Sequence, residues 1–171
     1  MSEANGALQT RDRYKLRVWN GPGSAVHRSR IALTLHRVRD TEFAMIDHIS
    51  IAVRDLDQAM RFYQAVLGAI GYDKLEARPR TVGFGKSYPE FWINLRTAMA
   101  PVADDCGAHV GLRVRARELV DAFHAAALAA GGACDGAPGL RPQHGQGYYA
   151  AFIRDLDGNR IEAVTFVKTD A

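Results

Sequence analysis

Apolar positions along this chain first alternate and then recur at helical spacing, and they do so twice. In His48-Ile49-Ser50-Ile51-Ala52-Val53, residues Ile49, Ile51 and Val53 fall on one face and His48, Ser50 and Ala52 on the other, which predicts a half-buried strand. A helix is expected next. Asp55 stands at its cap with Gln58 three residues on, Leu56, Ala59, Met60, Tyr63, Val66 and Leu67 keep helical spacing, and Gly68 is placed to end it. The succession returns in His109-Val110-Gly111-Leu112-Arg113-Val114, followed by a helix from about Glu118 to Ala130 that Gly131-Gly132 should stop. The offset of 61 residues holds without a gap onto Phe62/Phe123 and Gly71/Gly132. A repeat of this kind predicts two similar modules, each opening on a strand whose histidine looks away from the helix-covered side.

Later strands are expected at Thr81 to Gly85 and Glu90 to Arg96 in the first module, and at Tyr148 to Arg154 and Asn159 to Val167 in the second. Asp157-Gly158 supplies the turn of that last hairpin. The run Asp155-Leu156-Asp157-Gly158-Asn159 is read as turn chemistry, since it lacks the remaining ligand spacing of a calcium loop. These boundaries give an N-terminal extension over residues 1–44, module one over 45–100 and module two over 107–171. The extension has no partner in the repeat and carries the breaker cluster Asn20-Gly21-Pro22-Gly23-Ser24; a flexible arm, or read-through ahead of a start at Met45, is expected there.

With 171 residues, 47% hydrophobic and 24% charged, the chain is long enough for one domain, or two small modules sharing a core. No apolar run approaches the roughly 18 residues of a membrane helix, so no membrane partner is expected. The formal charge of +3 is uneven: the extension holds eight basic and four acidic residues, the remainder fourteen and fifteen. The body therefore offers no electrostatic case for nucleic acid. Cys106 and Cys134 form no CxxC pair, and reduced thiols in the cytoplasm are the expectation.

If the modules are related by approximate two-fold symmetry, His48 and His109 converge on one cavity. Glu162, on the last strand, is the natural third member. Matching Ile93-Asn94-Leu95 to Ile161-Glu162-Ala163, at an offset of 68, places Asn94 opposite Glu162. Two imidazoles and a carboxylate suit one divalent first-row metal ion (Zn, Ni, Mn or Fe(II)) with open positions for water or a chelating substrate. Asn94 is a weak ligand and is expected to touch substrate. The loop Leu140 to Tyr149 brings His144 and Tyr148 as candidate proton donors or oxyanion partners, the alternative being an exposed histidine and a packed tyrosine. Phe84, Trp92 and Tyr149 are candidates for an apolar substrate wall, with core packing as the alternative. Lys86 could meet an anionic substrate or be merely solvated. His27, His36 and His124 are given no role.

The stretches Met45 to Leu56, Phe62-Tyr63-Gln64-Ala65-Val66-Leu67-Gly68, and Tyr149 to Glu162 resemble the opening strand, first-helix signature and closing hairpin of the vicinal oxygen chelate superfamily. That family includes glyoxalase I, fosfomycin and bleomycin resistance proteins, and extradiol dioxygenases. The resemblance runs from Met45 to about Val167. It implies an α+β fold of two tandem βαβββ modules whose curved mixed sheet encloses a metal cavity, within one chain or across a homodimer. It maps the family's first-strand ligands to His48 and His109 and its last-strand ligand to Glu162, which would also act as the catalytic acid/base. One departure matters: glyoxalase I has an acidic ligand at the end of module one, where this chain offers Asn94. The remaining His, His, Glu set resembles instead the three-ligand pattern of fosfomycin resistance enzymes and dioxygenases, and the expected function is a metal-dependent lyase or isomerase of glyoxalase-like form. It would act on a small oxygen-chelating metabolite through an enolate or alkoxide. The alternatives are a non-haem iron dioxygenase on the same ligands, or a non-catalytic protein that binds a small molecule such as an antibiotic.

Overall fold

The computed structural model describes residues 46–168. The expectations for residues 1–44 and for Met45 lie outside the described residues. Module one comprises β1 (Ile49–Val53), α1 (Leu56–Gly68), β2 (Asp73–Arg78), β3 (Thr81–Gly85) and β4 (Pro89–Leu95). Module two comprises β5 (Val110–Arg113), α2 (Arg117–Ala129), β6 (Ala133–Leu140), a 3-10 turn at Pro142–His144, β7 (Tyr148–Arg154) and β8 (Arg160–Phe166). These are the two βαβββ units expected, and the fold is α+β. Each builds its own four-stranded mixed sheet, in the orders β1-β4-β3-β2 and β5-β8-β7-β6. β1 runs parallel to β4 and β5 parallel to β8, while the other neighbours are antiparallel. The opening strand of each module is thus an edge of its sheet.

Local chemistry explains the helices. Asp55 caps α1 by accepting from the Gln58 amide at 3.0 Å. The left-handed residue that closes the turn after α1 is Gly71 (φ +82°), three positions beyond the Gly68 expected to end the helix. The α2 cap is Ala116, whose side chain offers no acceptor.

α1 packs on the first sheet, α2 on the second, and the two helices on each other, so one continuous core serves both modules. At its centre Tyr63 meets Phe62 edge-on at 5.1 Å and Phe91 at 5.0 Å, and Phe123, Ile153 and Ile161 are fully buried. Each sheet therefore has a face on this core and a face turned away from it.

The β7–β8 turn fastens the modules together, and its acids are spent on the protein itself, as the turn reading expected. The Tyr63 hydroxyl donates to Asp155 Oδ2 at 2.7 Å, and Arg54 Nε donates to Asp157 Oδ1 at 2.6 Å. Asn159 Nδ2 donates both to Asp155 and to the Ala52 carbonyl on β1. Burial pushes the Asp155 carboxyl up from its usual value against the pull of these bonds. Burial, together with the Asp155 charge, pushes the Tyr63 phenol well up.

Candidate functional site

On the outward face of the second sheet, Glu162 sits opposite Gly111 of β5 and Phe152 of β7. The residue is 3% exposed, and its carboxylate has a partner on each oxygen. The Tyr148 hydroxyl donates to Oε1 at 2.6 Å, and His109 Nε2 stands 3.2 Å from Oε2. A side chain at Gly111 would place its Cβ 3.3 Å from Oε2, so the glycine leaves room for the carboxylate and whatever it holds. Module one has Ser50 at the matching strand position. Burial, then the hydrogen bond to Glu162 and its charge, pushes the Tyr148 phenol up to about 12, which keeps it a proton donor at neutral pH. His109 is half-exposed, with the Phe152 ring beside it at 6.4 Å.

The loop ahead of β7 sets Tyr148 in place. Gly147 has φ +72°, and a Cβ there would come within 2.1 Å of the Val167 carbonyl oxygen. Gly147→Ala is therefore expected to lower stability by about 1–3 kcal/mol and to disturb the Tyr148–Glu162 contact, which denaturant titration and metal content would register. His144 is exposed in the 3-10 turn, its ring 5.3 Å from that of Tyr148.

The other outward face belongs to module one. His48, Ser50, Thr81, Trp92 and Asn94, together with Arg78, line a shallow pocket of about 170 Å³. His48 Nδ1 is held by Asp47 Oδ1 at 2.7 Å, which leaves Nε2 as the free nitrogen, the arrangement that orients metal-binding imidazoles. Arg78 lies over the Trp92 ring at 5.4 Å. Sequence reading missed Arg78 because it never located β2; alternation along Asp73 to Arg78 was the available signal.

The structure thus brings Glu162, His109 and Tyr148 together, and separately His48, Trp92 and Asn94. Among the described residues no group of three or more His, Cys, Asp or Glu side chains gathers as a metal-holding cluster. A buried carboxylate beside an imidazole, with space kept by Gly111, fits two of the donors a divalent ion would use; His48 is not brought to them within the chain.

Three expectations need correcting. Ile49 pairs with Phe91 and Ser50 with Trp92, while Val110 pairs with Ile161 and Gly111 with Glu162. The module-one counterpart of Glu162 is therefore Trp92, at an offset of 70 residues rather than 68, and Asn94 corresponds to Val164. An indole cannot ligate, so module one offers no fourth donor at this position. Phe84 is fully buried on the inward face of β3 against Tyr63, so it packs in the core instead of forming a substrate wall. Tyr149 likewise points inward to α2. Its hydroxyl donates to Asp121 Oδ1 at 2.8 Å, and Arg117 lies over its ring at 4.6 Å.

Comparison with known proteins agrees with this architecture. Residues 45–163 match the family model described as the Glyoxalase/Bleomycin resistance protein/Dioxygenase superfamily. No curated protein matches the chain. Among solved structures, a glyoxalase/bleomycin resistance protein from Albidiferax ferrireducens T118 is 33% identical. The match covers 71% of this chain and 98% of that one, with a TM-score of 0.61. A glyoxalase/bleomycin resistance protein/dioxygenase family enzyme from Burkholderia phytofirmans PsJN is 22% identical over 72% and 100% of the two chains, with a TM-score of 0.57. The fosfomycin resistance protein FosX from Mesorhizobium loti is 17% identical over 72% and 93%, with a TM-score of 0.54, and is a likeness of fold alone. From the matched span, the repeated modules and the paired sheets together, this chain belongs to the glyoxalase/bleomycin resistance protein/dioxygenase superfamily.

Proposed function

We propose that the protein is a metal-dependent, glyoxalase-like enzyme of lyase or isomerase type, acting on a small oxygen-chelating metabolite in the reducing cytoplasm. Its site is completed across a homodimer. The observation that carries this reading is the splitting of the donor set: His109 and Glu162 stand together on one outward face and His48 on the other. Both faces are bordered by an unpaired edge strand, β5 or β1, so a second copy can bring His48 of one subunit to His109 and Glu162 of the next. When bound there, a divalent cation supplies Lewis-acid polarisation of substrate oxygens. Glu162 would hold the cation with one oxygen and accept a proton with the other. Tyr148 keeps its proton and orients the carboxylate. Asp47 fixes the His48 ring, and Trp92 with Asn94 would bound the substrate.

The test is metal content after mixing. His48→Ala and His109→Ala proteins should each lose metal, and an equimolar mixture of the two, re-assorted at random so that about half the dimers are mixed, should regain about a quarter of the wild-type amount. Only one of the two sites in each mixed dimer then escapes both substitutions. No recovery on mixing would reject the shared site. Oxygen uptake requiring Fe(II) would move the assignment to a dioxygenase.

A metal-free binding protein is the second reading. It is favoured by the Glu162 carboxylate already having protein partners on both oxygens. Native protein that is free of metal yet binds its ligand with full affinity would decide for it.

A further inference from the structure

A cleft of about 790 Å³ opens between the two modules, apart from His48, His109 and Glu162. One wall is Ile70 and Tyr72, after α1, with Lys86 beyond β3; the other is Arg113 and Arg115 around the end of β5, and Phe166 at the end of β8. Leu112 and Leu119 add to its apolar floor.

Two independent features mark it as a binding site. The first is uncompensated charge. Lys86, Arg113 and Arg115 are exposed, and among the described residues none forms an ion pair. Lys86 and Arg113 instead lie over the rings of Tyr72 and Phe166, at 5.4 Å and 4.7 Å. Burial and then Glu90 raise the Tyr72 phenol. The second feature is Thr165. The residue is 3% exposed and lines the cleft, and among the described residues its hydroxyl forms no side-chain hydrogen bond. No side-chain oxygen among the described residues is both fully buried and unpartnered, so this hydroxyl meets solvent at the cleft and can donate to a molecule that enters it.

We propose that this cleft binds a small carboxylate carried on an apolar body about the size of one or two rings. Guanidinium forks match the planar carboxylate, and Thr165 supplies a further donor. The aromatic walls and aliphatic floor call for a body that inorganic phosphate lacks. The volume lies within the range of about 300–1,000 Å³ usual for small-molecule sites.

The test is calorimetric titration of the full-length native protein with 2-naphthoate at low ionic strength. Binding of about one equivalent per chain is expected, weakening as salt is raised. The neutral analogue 2-naphthamide should bind about tenfold less tightly, and the surface double variant Lys86→Gln/Arg115→Gln should lose about tenfold for naphthoate. Thr165→Val, which keeps shape and removes the hydroxyl, should lose several-fold. His109→Ala should bind naphthoate as the wild type does, because the cleft shares no ligand with the proposed metal site. The proposal is overturned by absence of binding, by equal affinity for acid and amide, or by binding that survives the double substitution. Loss of naphthoate binding in His109→Ala would also reject it, by assigning the probe to the outward sheet face.

Discussion

Asp155→Ala is expected to destabilise the fold by about 3–5 kcal/mol, because it removes a buried carboxylate on which several donors depend. Its oxygens accept from the Tyr63 hydroxyl, from the backbone amides of Asp157 and Asn159, and from the Asn159 side chain. Without them Tyr63 keeps a phenol in the core with no acceptor, and the turn that binds β1 through Asn159 loses its internal scaffold. The effect should depend on pH in the sense opposite to most carboxylates. Burial raises the folded-state pKa of Asp155 above its ordinary 3.8. Native protein therefore holds this proton more tightly than unfolded chain does. The associated stability is complete below the unfolded value and is lost as pH rises through the raised one. The gap between wild type and Asp155→Ala in denaturant titrations should accordingly be widest in acid and narrow toward neutrality. A gap that widens toward neutrality would contradict the burial argument.

Glu162→Ala is expected to empty the proposed metal site, with a loss of affinity beyond the roughly 10- to 100-fold that removing an outer partner of a ligand costs. Elemental analysis of protein purified without chelator would measure it, and activity should fall in parallel. Glu162→Gln makes the sharper control. The amide preserves the volume beside Gly111 and an oxygen for Tyr148, so the fold should persist while the ion is lost. Full metal occupancy in both variants would remove Glu162 from the donor set.

The repeat, both helices and six of the eight strands were readable from periodicity, since each carries an apolar face on a shared core. β2 and β6 were not. β2 is a charged, largely exposed outer strand, and β6 contains Gly136, Pro138 and Gly139 with register shifts along its ladder. Placing Asn94 opposite Glu162 failed for a different reason. A slip of two residues keeps every side chain on its own face, so patterning cannot detect it and only the hydrogen-bonded ladder does. Phe84 and Tyr149 were within reach of parity: Phe84 alternates with Val82, and Tyr149 with Ala151 and Ile153, all inward residues. His109, Glu162 and Tyr148 were legible because one hairpin and one strand suffice to join them. Where His48 goes depends on which sheets meet, and no residue pattern within a single chain encodes that.

On the proposed shared site, the separation of the outward faces would make occupancy by the ion a collective property. If His48 and His109 meet only between subunits, dilution that parts the subunits also strips the cofactor, and added cation in turn drives association. Catalytic output per molecule would then climb with protein abundance, a thermostat that a site enclosed in one polypeptide does not possess.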